Sequence, residues 1–196
     1  MGNQIHELAA KYPWPNSRPE VQPNNQAFFR DDTKLLFIDL LKKSMSVIVE
    51  LGSFVGTGST RFLIENSDAT LICVDPWIPS APEDKYQTPL LLYETFCYNV
   101  WPDRDRIIPL RMDSSDGLRE IAGTGIVPDL IYIDGNHEYE YVIRDLNLIT
   151  QLFKNLIVVG DDFCEDFPGV GKAVVEFTRK QGISFRVKGS TWMLNR

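Results

Sequence analysis

A chain of 196 residues and 22.4 kDa, 43% hydrophobic and 24% charged, fits one ordinary globular domain and excludes disordered, collagen-like and disulfide-scaffold proteins. Its 27 acidic against 20 basic residues leave a net charge of -7 and a pI near 4.9, which disfavours a broad grip on nucleic-acid phosphates or an anionic membrane. Three cysteines without CxxC spacing, a start (MGNQIHELAAKYPWP) without a basic-then-apolar leader, and no apolar run of ~18 residues predict a soluble, reduced, cytoplasmic protein.

In chain order, residues 1–25 read as an N-terminal arm with at most one short helix, because prolines recur through YPWPNSRPEVQPNN. Residues 26–196 read as the domain. From 27 to 43, Phe28, Leu35, Leu36, Ile38 and Leu41 fall near helical spacing and predict an amphipathic helix. MSVIVELG is a short β-branched run closed by glycine and predicts a buried strand, followed by a helix over 57–65. ATLICVD repeats the strand pattern, and a loop with Pro76, Pro79, Pro82 and Pro89 leads to a helix ending near Tyr98. Strand RIIPLRM, helix SSDGLREIA, strand PDLIYID, a helix over 138–153, strand LIVVGDD and helix GKAVVEFTRK continue the alternation. Strands apolar on both faces, alternating with helices, predict a parallel sheet covered on both sides. The tail ISFRVKGSTWMLNR has two short strands about residues 189–190 with no helix between them, which predicts an antiparallel hairpin at one sheet edge.

The first strand runs into Glu50-Leu51-Gly52-Ser53-Phe54-Val55-Gly56-Thr57-Gly58. Glycines in such a turn admit a ligand close to the backbone, and N–H groups at the helix start favour an anion, carboxylate or phosphate. The G-x-x-x-G-x-G spacing is not the G-x-G-x-x-G of a dinucleotide pyrophosphate, and a plain tight connection explains the glycines equally well. Asp75 closes the second strand 75 − 52 = 23 residues after Gly52, where α/β folds place the acid that holds ribose hydroxyls. Trp77 has two readings, lying on an adenine or sealing its loop onto the core. Asp113 and Ser114 follow the third strand and serve either an adenine edge or a helix N-cap.

Asp134 ends the fourth strand, and Asp161 and Asp162 end the fifth. Neighbouring strands lie ~4.8 Å apart, so three carboxylates are expected to converge. Such a concentration calls for a cation unless the acids cap helices. Oxygen ligands without a zinc-spaced Cys or His set favour magnesium, manganese or calcium. His137, three residues past Asp134, is the candidate proton acceptor near neutral pH, against the plainer reading of an exposed loop histidine.

As a set, VIVELGSFVGTGST, VDPW, LIYIDGNHEYEYVIRDL, VVGDDF and PGVGKAVVEF resemble the class I S-adenosylmethionine-dependent methyltransferases, in particular the small metal-dependent O-methyltransferases, over about residues 45–180. The resemblance implies a Rossmann-like, doubly wound, mostly parallel seven-stranded sheet with the hairpin at its C-terminus. It implies that Glu50, Gly52, Ser53 and Gly56 surround the methionine part of the cofactor, Asp75 holds its ribose, and Asp113 and Ser114 lie near its adenine. It also implies magnesium, or another hard divalent cation, on Asp134, Asp161 and Asp162. Catechol and caffeoyl-coenzyme A methyltransferases carry a lysine base three residues past the first metal Asp, and here His137 stands there. A macrocin-type and cephalosporin-hydroxylase-related branch has an IDGDHxYE-like stretch, whose second acid is replaced here by Asn136. Asn accepts no proton at any relevant pH, which moves the base to His137. The implied activity is methyl transfer to a hydroxyl of a small-molecule acceptor. The alternatives are a metal-independent methyltransferase and a cofactor-binding module without catalysis. Tyr86, Tyr93 and Trp14 are expected to close over the site, and the arm and hairpin offer surfaces for a homo-oligomer.

Overall fold

The computed structural model describes residues 2–21, 24, 26, 29–78 and 90–195. Phe28, Pro79, Pro82, Tyr86 and Pro89, which entered the sequence expectations, lie outside them. Strands β1 (Val47–Leu51), β2 (Thr70–Asp75), β3 (Ile107–Arg111), β4 (Leu130–Ile133), β5 (Ile157–Gly160), β6 (Ser184–Lys188) and β7 (Thr191–Asn195) form one seven-stranded sheet in the order β3-β2-β1-β4-β5-β7-β6. The first five are parallel, and β7 runs antiparallel to both β5 and β6. This is the expected mixed sheet with a C-terminal hairpin. The hairpin's second strand, β7, inserts beside β5 and leaves β6 as the solvated edge.

Helices α1 (Gly2–Lys11), α2 (Asp31–Leu41), α3 (Ser59–Glu65), α4 (Leu92–Val100), α5 (Ser114–Gly123), α6 (Tyr139–Leu152) and α7 (Pro168–Gln181) cover it. A short 3-10 helix, Trp101–Arg106, leads into β3. Because strand side chains alternate, Val47, Val49 and Leu51 join a core with α1, α5, α6 and α7, whereas Ile48 faces a second core with α2, α3 and α4. Glu50 shares the parity of Ile48, so its carboxylate enters that second core at 0% exposure.

Two local expectations change. The described part of the predicted 27–43 helix starts at Asp31 and buries Thr33, Phe37 and Leu40, while Leu35 and Ile38 are exposed. Apolar residues there wrap most of the helix, so spacing alone does not choose a face; the contact of Phe37 with Tyr132, ring centroids 5.0 Å apart, does. Trp14 does not stand over the strand C-termini. Its indole N–H donates to the carbonyl of Ile107 at the start of β3, 2.9 Å away, and its ring packs on Phe96 and Trp101. No helix among the described residues is long and apolar enough to cross a membrane.

Candidate functional site

The C-terminal ends of β1, β2, β4 and β5 share one edge, and β1 is where the winding changes direction, the crevice in which open α/β sheets take ligands. The turn after β1 is tightly built. Gly52 has φ +91°, and a Cβ on it would lie 2.6 Å from Gly135 Cα. Gly56 has φ +77°, and a Cβ there would meet Val100 at 2.8 Å. Both glycines are therefore demanded by the protein's own packing. Ser53 and Thr60 donate to Glu50 Oε2 at 2.5 and 2.6 Å, and the Cys73 thiol lies 3.7 Å from the same oxygen. Glu50 Oε1 is buried without a hydrogen-bond partner. Burial pushes the Glu50 carboxyl upward against these hydroxyl donors.

Asp75 accepts the backbone N–H of Phe54 at 3.0 Å and of Trp77 at 2.6 Å, one on each oxygen. Trp77 itself is fully buried. Its ring packs on Phe96 and Tyr93, and its indole N–H donates to the Phe54 carbonyl at 2.7 Å. With no ring face exposed it seals the loop onto the core, the second of its two sequence readings. Asp113 is the N-cap of α5, accepting from Ser115 N at 2.8 Å. Arg144 on α6, which the sequence did not single out, reaches Asp113 at 3.1 Å, Ser114 Oγ at 2.7 Å and the buried Asp145 at 3.0 Å. Burial acts to raise the Asp113 carboxyl, but its bonds to Ser115 and Arg144 prevail and hold it below the usual range.

Beyond the turn, Asp134, His137 and Asp162 gather one ligand atom each within 4.8 Å of one another. His137 Nε2 lies 2.8 Å from Asp162 Oδ2, and the imidazole packs on Phe167 with centroids 4.1 Å apart. The loop carrying His137 is pinned by Gly169 at the start of α7, where a Cβ would stand 2.7 Å from Tyr139 N. Arg30, just before α2, reaches Asp162 Oδ1 at 3.9 Å. Burial, then the charges of Asp161, Asp162 and Glu50, push the Asp134 carboxyl well above the usual carboxylate range.

Asp161 departs from the expected trio. Its side chain turns toward the hairpin and α2, accepting Ser190 Oγ–H at 2.6 Å, with Thr33 and Thr191 at 3.4 Å. Both residues lie past the end of β5, and Asp162, at φ +61°, takes the left-handed turn that carries its carboxylate to His137. Tyr132 places its hydroxyl 3.2 Å from both Asp134 Oδ2 and Asp161 Oδ2. Its position two residues before Asp134, on the same strand face, was the available sequence signal; Thr33, Ser190 and Thr191 had none.

The model of a family described as a methyltransferase domain matches residues 49–163, the span from β1 to just past Asp162. No curated protein matches the chain. Among solved structures, a putative caffeoyl-CoA O-methyltransferase from Staphylococcus aureus superposes with TM-score 0.62 at 13% identity, covering 99% of this chain and 91% of that one. The O-methyltransferase from Bacillus cereus in complex with SAH gives 0.60 at 15%, with the same coverage. CalS11, a TDP-rhamnose 3'-O-methyltransferase of calicheamicin biosynthesis, gives 0.57 at 19%, covering 86% and 81%. Those likenesses concern the fold, and the family match spans the glycine turn, Asp75 and the carboxylate cluster together: the chain belongs to the methyltransferase-domain family.

Proposed function

We propose that the protein transfers the methyl group of S-adenosylmethionine to a hydroxyl of a small-molecule acceptor, assisted by a divalent cation at Asp134 and Asp162. The observation that carries this reading is the Asp134–His137–Asp162 cluster beside the turn after β1. Two carboxylates and an imidazole form a donor set suited to one divalent ion. The residues also fit the methyl donor. Glu50 Oε1 is a buried acceptor without a partner, suited to a cationic N–H donor such as the cofactor's ammonium. Each Asp75 oxygen takes one backbone N–H and keeps a lone pair for a ribose hydroxyl. Asp113 and Ser114 are held by Arg144 at the next strand end, where an adenine edge would approach.

In the reaction the sulfonium carbon–sulfur bond breaks, a carbon–oxygen bond forms, the hydroxyl proton passes to solvent water and S-adenosylhomocysteine remains. A bound divalent cation supplies a lowered hydroxyl pKa and a fixed orientation. The chain's residues hold oxygen, methyl and sulfur in line, and such positioning is worth ~7 to 11 kcal/mol of barrier.

A second, metal-independent reading rests on the 2.8 Å contact of His137 Nε2 with Asp162. There Asp162 orients the ring and His137 Nδ1 takes the proton, as in other histidine–carboxylate pairs. The experiment is SAH release from S-adenosylmethionine with catechol-type and sugar acceptors, with chelator or added cation. Activity lost in chelator and restored by cation supports the first reading, and full activity in chelator supports the second. A protein that binds SAH and methylates none of the acceptors is a binding module, and one that binds no SAH refutes the proposal.

A further inference from the structure

We infer that the outward ridge of α2 is the contact through which two copies of this chain pair, antiparallel about a two-fold axis. The helix buries Thr33, Phe37 and Leu40 and leaves Leu35 and Ile38 56% and 42% exposed. Single apolar residues on a surface need no explanation, but these two are neighbours on one helix and are bracketed by charges. Asp31, Leu35, Ile38 and Lys42 follow one another at spacings of four, three and four, and Lys42 keeps right-handed helical angles, φ -61° and ψ -22°. At ~100° per residue the four side chains fall within about 60° of one another, the spacing of a seam between paired helices. The side chains of Asp31 and Lys42, 94% and 70% exposed, end the ridge with opposite charges.

The order of those groups selects the occupant. A two-fold axis perpendicular to α2 and level with the Leu36–Phe37 peptide sets Leu35 of one copy on Ile38 of the other, and Asp31 on Lys42 at both ends. A parallel pair would set Asp31 on Asp31 and Lys42 on Lys42 and would align the helix dipoles, so the antiparallel arrangement is favoured. Each end charge already has a neighbour on its own helix, Lys34 at 2.8 Å from Asp31 and Asp39 at 2.7 Å from Lys42. Exposed pairs of this kind contribute little and rearrange at low cost, and Arg186 and Lys188 on β6 also act on Asp39, so Lys42 shares that acid. The open edge of β6 is the competing surface. There a two-fold pairing of the strand sets Arg186, at its centre, against its own copy, and like charges directly opposite destabilise a strand pair. One helix ridge is smaller than the about 1,200–2,000 Å² of a standard interface, so the pair is weak and depends on concentration. Thr33, which faces Asp161 at 3.4 Å, lies on the buried side of α2, so the second copy contacts the side of the helix away from the candidate site.

The test is sedimentation velocity on the full chain from ~10 µM to ~1 mM, the range in which an interface below standard size associates. Wild type is expected to pass from monomer to dimer across it. Leu35→Asp is expected to weaken pairing at least tenfold, and Asp31→Lys and Lys42→Asp at least threefold each. An equimolar mixture of Asp31→Lys and Lys42→Asp is expected to pair within threefold of wild type, because both ends of an antiparallel mixed dimer then carry opposite charges. SAH titration of the same variants is expected to stay within twofold of wild type, so that loss of pairing is read apart from loss of cofactor binding. Wild type that remains a monomer at ~1 mM overturns the inference, as does a dimer that Leu35→Asp leaves within twofold, since its contact lies on another face. Charge reversals that do not weaken pairing singly, or a mixture no tighter than either variant alone, overturn the antiparallel pairing. Should Leu35→Asp fail to fold by circular dichroism, the charge-reversal pair and its mixture decide.

Discussion

The backbone of Asp134 and Gly135 occupies the space that a side chain on Gly52 would need: a Cβ there would stand 2.6 Å from the Asp134 carbonyl carbon and from Gly135 Cα. The turn after β1 and the loop carrying the first acid of the cluster are thus one packed unit. Gly52 also sits at φ +91°, outside the range that L side chains favour. Gly52→Ala is expected to cost about 1–3 kcal/mol from backbone strain alone, and to weaken SAH binding because the Asp134 loop must shift. Gly123→Ala, where a Cβ meets nothing within 4 Å, is the control and should leave both unchanged. Thermal melting and SAH titration of the two variants check this, and a Gly52→Ala protein indistinguishable from the control would remove the packing argument.

Trp77 is expected to matter for folding and little for the cofactor. It is fully buried against Phe96 and Tyr93, so Trp77→Ala should cost about 3–5 kcal/mol as large aromatic truncations do. Trp77→Phe should recover most of that and keep SAH affinity within threefold. A Trp77→Phe protein that melts normally but loses SAH binding tenfold or more would reinstate adenine stacking.

Glu50 and Asp134 are two of the carboxyls that weigh on the cofactor-free protein as pH rises. Burial raises the Glu50 carboxyl, and burial with the charges of Asp161, Asp162 and Glu50 raises that of Asp134. A carboxyl raised in the folded state holds its proton more tightly there than in the unfolded chain. Its effect therefore lowers stability as pH climbs from the ordinary carboxylate range, ~4, through the folded value. Asp134→Asn and Glu50→Gln remove that burden, so in chelator both should melt higher than wild type at pH 7 and converge with it near pH 4. Each kcal/mol relieved appears as about 2–4 °C in a chain of this size. Glu50→Gln should at the same time weaken S-adenosylmethionine binding tenfold or more. Melting curves over pH 4 to 8 decide, and a wild-type advantage at pH 7 contradicts the sign argued here.

Arg144 joins α5 to α6 through Asp113, Ser114 and Asp145. Burial raises the Asp145 carboxyl, while Ser114 and Arg144 oppose it. Removing the guanidinium leaves Asp145 buried and short of its cation, so Arg144→Ala should lose about 1–3 kcal/mol near neutrality. The loss should shrink on acidification as Asp145 takes a proton. Denaturant melts at pH 7 and pH 4.5 measure the difference, and an equal deficit at both values would mean that packing of the side chain, and not its charge, is what is lost.

How much was legible in the sequence divides by the range of the interaction. Alternating β-branched runs and helical periods determined the parallel sheet, its helical cover and the closing hairpin, because these depend on local period and on which residues leave water. Strand-end placement of Asp75, Asp113, Asp134, Asp161 and Asp162 was equally readable, since a strand ends where its apolar run ends. The side chains' directions were not. Whether Asp161 or His137 stands beside Asp134 and Asp162 depends on the left-handed turn at Asp162 and on Ser190, Thr191 and Thr33, residues 29, 30 and 128 positions away. Trp77 went to the interior, and Trp14 lies half-buried against it, because Phe96, Tyr93 and Trp101 offer apolar surface there, a choice made by neighbours remote in sequence. The chain's period-two and period-3.6 patterns specify which elements form. Only the packed tertiary structure, through which hydroxyls and rings reach each carboxylate, decides what each acid at the sheet edge is free to bind.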